Sequence, residues 1–143
     1  MKRISLILSA FLFLGAAALA HQSLDVGDGA YRLSAGFQSE PAYTGVMNGL
    51  ELLVSDADGN PVENLESSLT AVVLGPEDAE LVLELSAVYG EPGTYSGSFI
   101  PTKVGDYTFR VSGFIGAVEF DEHFDDPGHY EPVVRDASEV SIP

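Results

Sequence analysis

Runs in which apolar and polar residues alternate recur along most of the chain and limit its fold more than any other feature. In residues 30–38, Tyr31, Leu33, Ala35 and Phe37 fall on one face, and the residues between them are small or polar. This period of two is typical of a β-strand with one buried face. Comparable runs lie at residues 50–54, 69–74, 81–85, 95–99 and 105–111, with shorter ones at 117–120 and 140–142.

Turn signals separate these runs at regular intervals. Proline and glycine cluster at residues 41–45, 59–61, 75–76 and 90–93, and such clusters end strands. A helix is an alternative only for residues 77–88, where valine and leucine mixed with glutamate favour a strand. We therefore predict an all-β fold, a single immunoglobulin-like antiparallel β-sandwich of about seven or eight strands.

The first 20 residues have the composition of a cleavable export signal. Lys2 and Arg3 precede a mostly apolar run at residues 4–14, and residues 18–20 are Ala-Leu-Ala. This order is that of a signal peptide, and the apolar run is shorter than the ~20 residues of a membrane span. We predict a signal peptide at 1–20, a domain without a membrane span at 21–143, and a periplasmic or extracellular location.

The composition excludes several classes of function. The chain has no cysteine, which excludes disulfides, thiolate metal sites and cysteine nucleophiles. Its 22 Asp and Glu against 6 Lys and Arg give a formal net charge of −16, so nucleic acid and anionic lipid surfaces are poor partners. No serine lies in a Gly-x-Ser-x-Gly elbow and no carboxylate pair stands out as acid and base, so we do not expect an enzyme.

The predicted cleavage would give His21 an unusual chemistry. As the first residue of the mature chain it would carry a free α-amine beside its imidazole, and both nitrogens could chelate one metal ion. His123 and His129 are the other two histidines, and both lie in an acidic segment of the last third. If residues 119–123 are extended, Asp121 and His123 share a face, so that one ion could contact both.

Four segments resemble a known group of exported domains. PGTY at 92–95, FIP at 99–101 and GDYTFRV at 105–111 look like the last hairpins of exported bacterial immunoglobulin-like domains, and DADGNPV at 56–62 is similar to their early turn. Together they resemble the YtkA-like and CopC-like domains, which are copper-associated. The resemblance extends over roughly residues 30–120 and implies the same sandwich fold.

The resemblance implies copper as the cofactor. CopC-like proteins start at a histidine after signal removal and place an Asp-x-His pair late in the sequence, and the matching residues are His21, Asp121 and His123. Cu(II) favours such nitrogen and oxygen ligands. The chain departs from the family just after His21 and again at residues 124–129, so His129 could be the second histidine instead of His123.

Two functions follow from this reasoning. The first is an exported carrier or buffer of Cu(II), with a copper-handling protein of the periplasm or membrane as partner. The alternative is a metal-free immunoglobulin-like domain that serves as an interaction or structural part of an exported assembly.

Two acidic segments offer weaker metal sites. Carboxylates could hold Ca²⁺, although a solvated acidic rim is the simpler interpretation because acids are spread along the whole chain; these carboxylates are Glu119, Asp121, Glu122, Asp125, Asp126 and Glu131. DADGN at 56–60 suggests an EF-hand loop, but Ser67 stands where that motif needs a bidentate glutamate. We predict a hairpin turn there.

Overall fold

Strands make up most of the folded chain. The computed structural model describes residues 21–143, so the predicted signal peptide at 1–20 lies outside the described residues. Residues 21–143 form twelve strands, eight of them with five or more residues, and no α-helix. The predicted all-β fold is confirmed. The strands are β1 (Gln22–Val26), β2 (Tyr31–Phe37), β3 (Ala42–Tyr43), β4 (Asn48–Asp56), β5 (Leu69–Gly75), β6 (Ala79–Leu83), β7 (Ser86–Ala87), β8 (Thr94–Phe99), β9 (Gly105–Asp106), β10 (Thr108–Ile115), β11 (Val118–Phe124) and β12 (Val133–Arg135).

Two antiparallel sheets form the layers of an open sandwich. The first sheet has the order β1-β2-β4-β8-β7, and the second has the order β11-β10-β5-β6. A small sheet, β3-β12-β9, pairs β12 parallel to β3 and antiparallel to β9. Two short 3₁₀ turns, Pro76–Asp78 and Ala137–Glu139, complete the described elements.

The core lies between the two main sheets because each strand turns alternate residues inward. In β4, Leu50, Leu52 and Val54 are buried, whereas Glu51 and Leu53 face outward. The buried hydrophobic residues of both sheets form one cluster. Residues 21–143 therefore have a hydrophobic core of their own, which is the requirement for folding as an independent unit.

Aromatic rings fill one end of this core. Phe37 and Phe109, from different sheets, meet edge to face with ring centroids 5.4 Å apart. Phe99, Tyr107 and Tyr130 pack around this pair. Edge-to-face and offset arrangements of this kind add stabilisation beyond the area that they bury.

Tyr95 fixes a loop to the first sheet through its hydroxyl group. The side chain is only 1% exposed. Its hydroxyl donates to the carbonyl of Val62 at 2.6 Å and accepts from the N–H of Leu65 at 3.3 Å. A buried hydroxyl needs such partners, so this residue joins β8 to the segment that leads into β5.

The structure differs from the sequence prediction at both ends of the domain. Gln22–Val26 lies outside the alternating runs recognised in the sequence, yet it pairs along its whole length with β2. A strand was also expected at residues 140–142, but the last strand is Val133–Arg135, and Val140 and Ile142 are 62% and 91% exposed. Two apolar residues beyond the 3₁₀ turn have no neighbouring strand to pair with, so they add nothing to a sheet.

Strands β1 and β11 close one side of the sandwich, each as the edge of its own sheet. At one end, the amide oxygen of Gln22 accepts a hydrogen bond from the backbone N–H of Asp126 at 3.0 Å. At the other end, Val118 covers Gly27, whose φ is 63°. A Cβ at Gly27 would lie 2.8 Å from Val118 Cγ1, so glycine is needed both for the turn and for the close approach.

Candidate metal site

His21 lies on the outer face of the first sheet. Its neighbour Gln22 is buried and pairs with Ala35, and adjacent residues of a strand point to opposite faces. Glu51 also faces outward, because it lies between the buried residues Leu50 and Leu52 of β4. The two polar side chains therefore share one surface.

A glycine lets these side chains meet across an intervening strand. Gly36 of β2 pairs with Glu51 and is level with His21 in the register, so no side chain separates them. Nε2 of His21 lies 3.2 Å from Oε1 of Glu51. The distance suits an ion pair, but the buried Nε2 has no hydrogen bond of acceptable angle.

Asp121 and His123 lie on the outer face of the second sheet. Both are exposed and alternate with the buried residues Phe120 and Phe124, so they share a face as the alternation predicted. Arg110 binds both carboxylate oxygens of Asp121, with its Nε 2.7 Å from Oδ1 and its second contact from Nη2 to Oδ2. This ion pair lowers the pKa of Asp121.

His123 and His21 do not share a surface, because they lie on the outer faces of different sheets. Arg110 also pairs directly across the strands with His123, so a cation bound at His123 would meet a guanidinium group.

His129 lies in the turn after β11. Its Nδ1 is 2.8 Å from Oδ2 of Asp126, and Oδ1 of the same carboxylate accepts the N–H of Gly128 at 2.8 Å. These two contacts, the backbone bond first, lower the pKa of Asp126. The backbone of Asp126 is the group that binds Gln22. The turn that carries His129 is thus attached to the residue that follows His21.

An acidic pocket of about 560 Å³ lies beside this turn. Its lining includes His129 and no lysine or arginine, and its acidic and aromatic residues are Glu40, Asp106, Asp125, Tyr130 and Glu131. Burial, together with the charge of Glu131, raises the pKa of Glu40, and burial with three nearby carboxylates raises that of Tyr130. The pocket therefore has a negative potential. Sequence reasoning missed Glu40 and Asp106 because the fold alone brings them to this segment.

Within residues 21–143, no three side chains of His, Cys, Asp or Glu converge as ligands of a metal ion. A chelate based on His21 does not require such a group, because one of its nitrogens would be the α-amine that cleavage creates. The candidate site is therefore the outer surface at His21 and Glu51, and the turn of His129 is attached to the next residue, Gln22.

The segment DADGN at 56–60 is a turn, as predicted. The carboxylate of Asp56 accepts hydrogen bonds from the backbone N–H groups of Asp58 and Asn60 and from the Asn60 side chain. The bonds from Asn60 chiefly lower the pKa of Asp56. The carboxylate oxygens of Asp56 therefore stabilise the turn itself.

No protein-family model matches the sequence, and no curated protein matches it. The fold is similar to the crystal structure of a DUF4426 family protein from Pseudomonas aeruginosa, with a TM-score of 0.50 and 15% sequence identity over 75% of this chain and 97% of that chain. It is also similar to the Lin-41 filamin domain, with a TM-score of 0.41 and 18% identity over 64% of this chain and 89% of that domain. At 15% identity the likeness to the DUF4426 family protein concerns the fold alone.

These neighbours carry no information about a ligand of this chain.

In the described part of the chain, residues 21–143, no helix has the length and apolar character to cross a membrane. The resemblance to YtkA-like and CopC-like domains stays a prediction from sequence.

Proposed function

We propose that this chain is an exported immunoglobulin-like protein that binds Cu(II) through the α-amine and imidazole of His21 and acts as a carrier or buffer of the ion. The observation that carries the proposal is the position of Nε2, 3.2 Å from Glu51. With Nε2 directed at a carboxylate, Nδ1 is the ring nitrogen that remains to close a chelate with the α-amine.

Glu51 supports this chemistry. A histidine that binds a metal ion usually donates its other ring N–H to a carboxylate or carbonyl, which fixes the tautomer and the ring orientation. Oε1 of Glu51 lies 3.2 Å from Nε2 and would be the group that accepts that proton. Cu(II) binds strongly to amine and imidazole nitrogens, so this residue alone would supply two suitable donors.

In this proposal His129 is the second histidine that binds the copper ion. The Gln22–Asp126 hydrogen bond attaches its turn to the start of β1, and its Nδ1 faces Asp126, which leaves Nε2 as the donor. His123 is less suitable because it lies on the other outer face beside Arg110. Asp121 is less suitable because Arg110 binds both of its oxygens.

The proposed role is binding and transfer of the ion without chemical turnover. The partner would be a copper-handling protein of the periplasm or membrane. The negative pocket beside His129 supports the attraction of a cation to this end of the molecule.

Titration with Cu(II) tests the proposal. The protein that starts at His21 is compared with the same protein acetylated at its α-amine, using glycine as a competing ligand and electron paramagnetic resonance to identify nitrogen ligands. Acetylation should weaken binding by about tenfold or more, because it removes the amine of His21 as a ligand of the ion. His129→Ala should also weaken binding, whereas His123→Ala serves as the matched control and should not.

Mass spectrometry of the exported protein establishes the cleavage position in parallel. Equal affinity of the native and acetylated proteins would show that the amine takes no part, and a cut at any other position would remove the basis of the chelate. Binding that depends on His123 and not on His129 would contradict the choice of second ligand alone.

A metal-free interaction domain is the second candidate. The observation that favours it is an uncovered apolar edge of the second sheet, which lies away from His21.

A further inference from the structure

Strand β6 leaves one edge of the second sheet open. It pairs with β5 on one side, and no strand of residues 21–143 pairs with its other side. An edge strand presents unpaired N–H and C=O groups, and proteins usually protect such edges with charges, prolines or a covering segment. Here Leu81 and Val82, in the middle of the strand, are 53% and 68% exposed.

The inner face of this edge is also uncovered. Leu81 pairs with the buried residue Val73, so it belongs to the core side of the sheet although half of it is exposed. On the opposite layer, β7 pairs only with Tyr95 and Ser96 of β8. Ile100, one residue beyond β8, is 49% exposed. The first sheet therefore ends before it covers Leu81.

A groove of about 140 Å³ occupies the gap between the layers. Leu81 and Ile100 form its sides, and Val73, Phe99 and Tyr107 contribute to its apolar lining. The other side of the sandwich is closed by the contacts of β1 with β11. An apolar groove beside a free strand edge is the arrangement that accepts an extended peptide as an additional strand.

The charges around the groove define what it would accept. Acidic residues lie before, within and after β6, and they are Glu77, Asp78, Glu80 and Glu84. The nearby cation Lys103 forms an ion pair with Glu77. A second copy of the chain would place the same acids beside these, and like charges on neighbouring strands are destabilising.

We propose that the β6 edge binds an extended segment of a partner protein in which apolar residues alternate with lysine or arginine. Its backbone continues the second sheet beyond β6. Its apolar side chains enter the groove against Leu81 and Ile100, and its cations lie beside the acids that flank β6, with Glu80 on the outer face. This site shares no residue with the proposed copper site, so either can be wrong without the other.

A short synthetic peptide of alternating lysine and valine, blocked at both ends, is the probe. It is added to ¹⁵N-labelled protein comprising residues 21–143, which have their own core, and amide chemical shifts are followed. We expect the shifts to concentrate at residues 79–83 and 99–104. Leu81→Lys should weaken binding by about tenfold or more, as loss of a central apolar contact does. Phe114→Lys is the matched control, because Phe114 is 49% exposed on β10 and should not alter binding.

A peptide with methyl groups on alternate backbone nitrogens distinguishes strand addition from simple charge attraction. It keeps the same charge but loses the N–H groups that would bond to β6, and it should bind much more weakly to the unaltered protein. This comparison decides the matter even if Leu81→Lys fails to fold. Equal binding of both peptides, shifts spread over the acidic surface, or self-association of the protein through β6 would each overturn the proposal.

Discussion

The side chain of Gln22 accepts a hydrogen bond from the backbone of Asp126 at 3.0 Å, although 104 residues separate them. Gln22 is only 7% exposed. The bond joins the edge of the first sheet to the turn that follows the edge of the second. A polar side chain at a buried position is stable here because a distant segment supplies its partner.

Replacement of this glutamine should loosen the junction. Gln22→Ala leaves the Asp126 N–H without its acceptor, and we expect a loss of about 1–3 kcal/mol in the free energy of unfolding. Urea denaturation measures the loss, and hydrogen exchange should accelerate at residues 126–130. Ser23→Ala in the same strand is the control, since Ser23 is exposed. Equal effects of the two substitutions would show that the amide bond contributes nothing specific.

Glu51→Gln tests how His21 is oriented. If Glu51 accepts the proton of Nε2, its replacement should lower the Cu(II) affinity by about 10–100-fold, as loss of such a partner does. The stability of the metal-free protein should change little. Glu63→Gln, which removes one exposed carboxylate elsewhere, is compared in the same titration. A similar decrease for Glu63→Gln would mean that only the net charge matters.

Tyr95→Phe isolates the contribution of one buried hydroxyl group. Val62 and Leu65 both lose their hydrogen-bond partner, so the unfolding free energy should fall by about 1–3 kcal/mol. Tyr89 is fully exposed, and Tyr89→Phe should leave the unfolding midpoint unchanged. Matching midpoints for the two variants would exclude a structural role for the Tyr95 hydroxyl.

Two phenylalanines of β10 differ only in the face that they occupy. Phe109 is 0% exposed in the aromatic cluster, and Phe114 is 49% exposed. Phe109→Ala should cost about 3–5 kcal/mol because it leaves a cavity. Phe114→Ala should cost far less, and thermal denaturation of both variants provides the comparison. The outcome that contradicts the fold is an equal loss for both.

Acid should destabilise the protein through its paired aspartates. The pKa values of Asp56, Asp121 and Asp126 are lowered in the folded chain, so the unfolded chain binds protons more readily. Their contribution is present above the unfolded pKa of about 3.9 and declines as pH falls through the lower folded values. Glu40, whose pKa is raised, acts in the opposite direction. The urea midpoint should decrease as the pH is lowered from about 5 to about 2, and it should decrease less in Asp121→Asn. If the midpoint of that variant depends on pH as strongly as that of the unaltered protein, the ion pair with Arg110 does not lower the pKa of Asp121.

The strands that sequence predicts best are those whose stability depends on local alternation. β2, β4 and β8 turn apolar residues inward at every second position, and this pattern is visible without knowledge of the partners. β1 was missed because its inward residues include Gln22, whose buried amide depends on Asp126. The burial of Gln22 depends on a distant residue, so it cannot be predicted from the sequence of β1 alone.

The positions of the metal ligands proposed from sequence were predictable in part for the same reason. Alternation placed Asp121 and His123 on one face. The contact of His21 with Glu51 depends instead on the registers of β1 with β2 and of β2 with β4, and on the missing side chain at Gly36. The location of His21 and His123 on different sheets depends on which sheet each edge strand joins. Neither is determined within a short window of sequence.

The start of β1 at Gln22 bears on the order of events in the proposed export of the protein. Only His21 separates the predicted cleavage position from a residue that is already paired in the sheet and buried. A peptidase needs an extended, accessible segment on both sides of the bond that it cuts. If the predicted signal is removed, we therefore expect β1 to join β2 only after cleavage, so that the same cut would permit this edge of the first sheet to assemble.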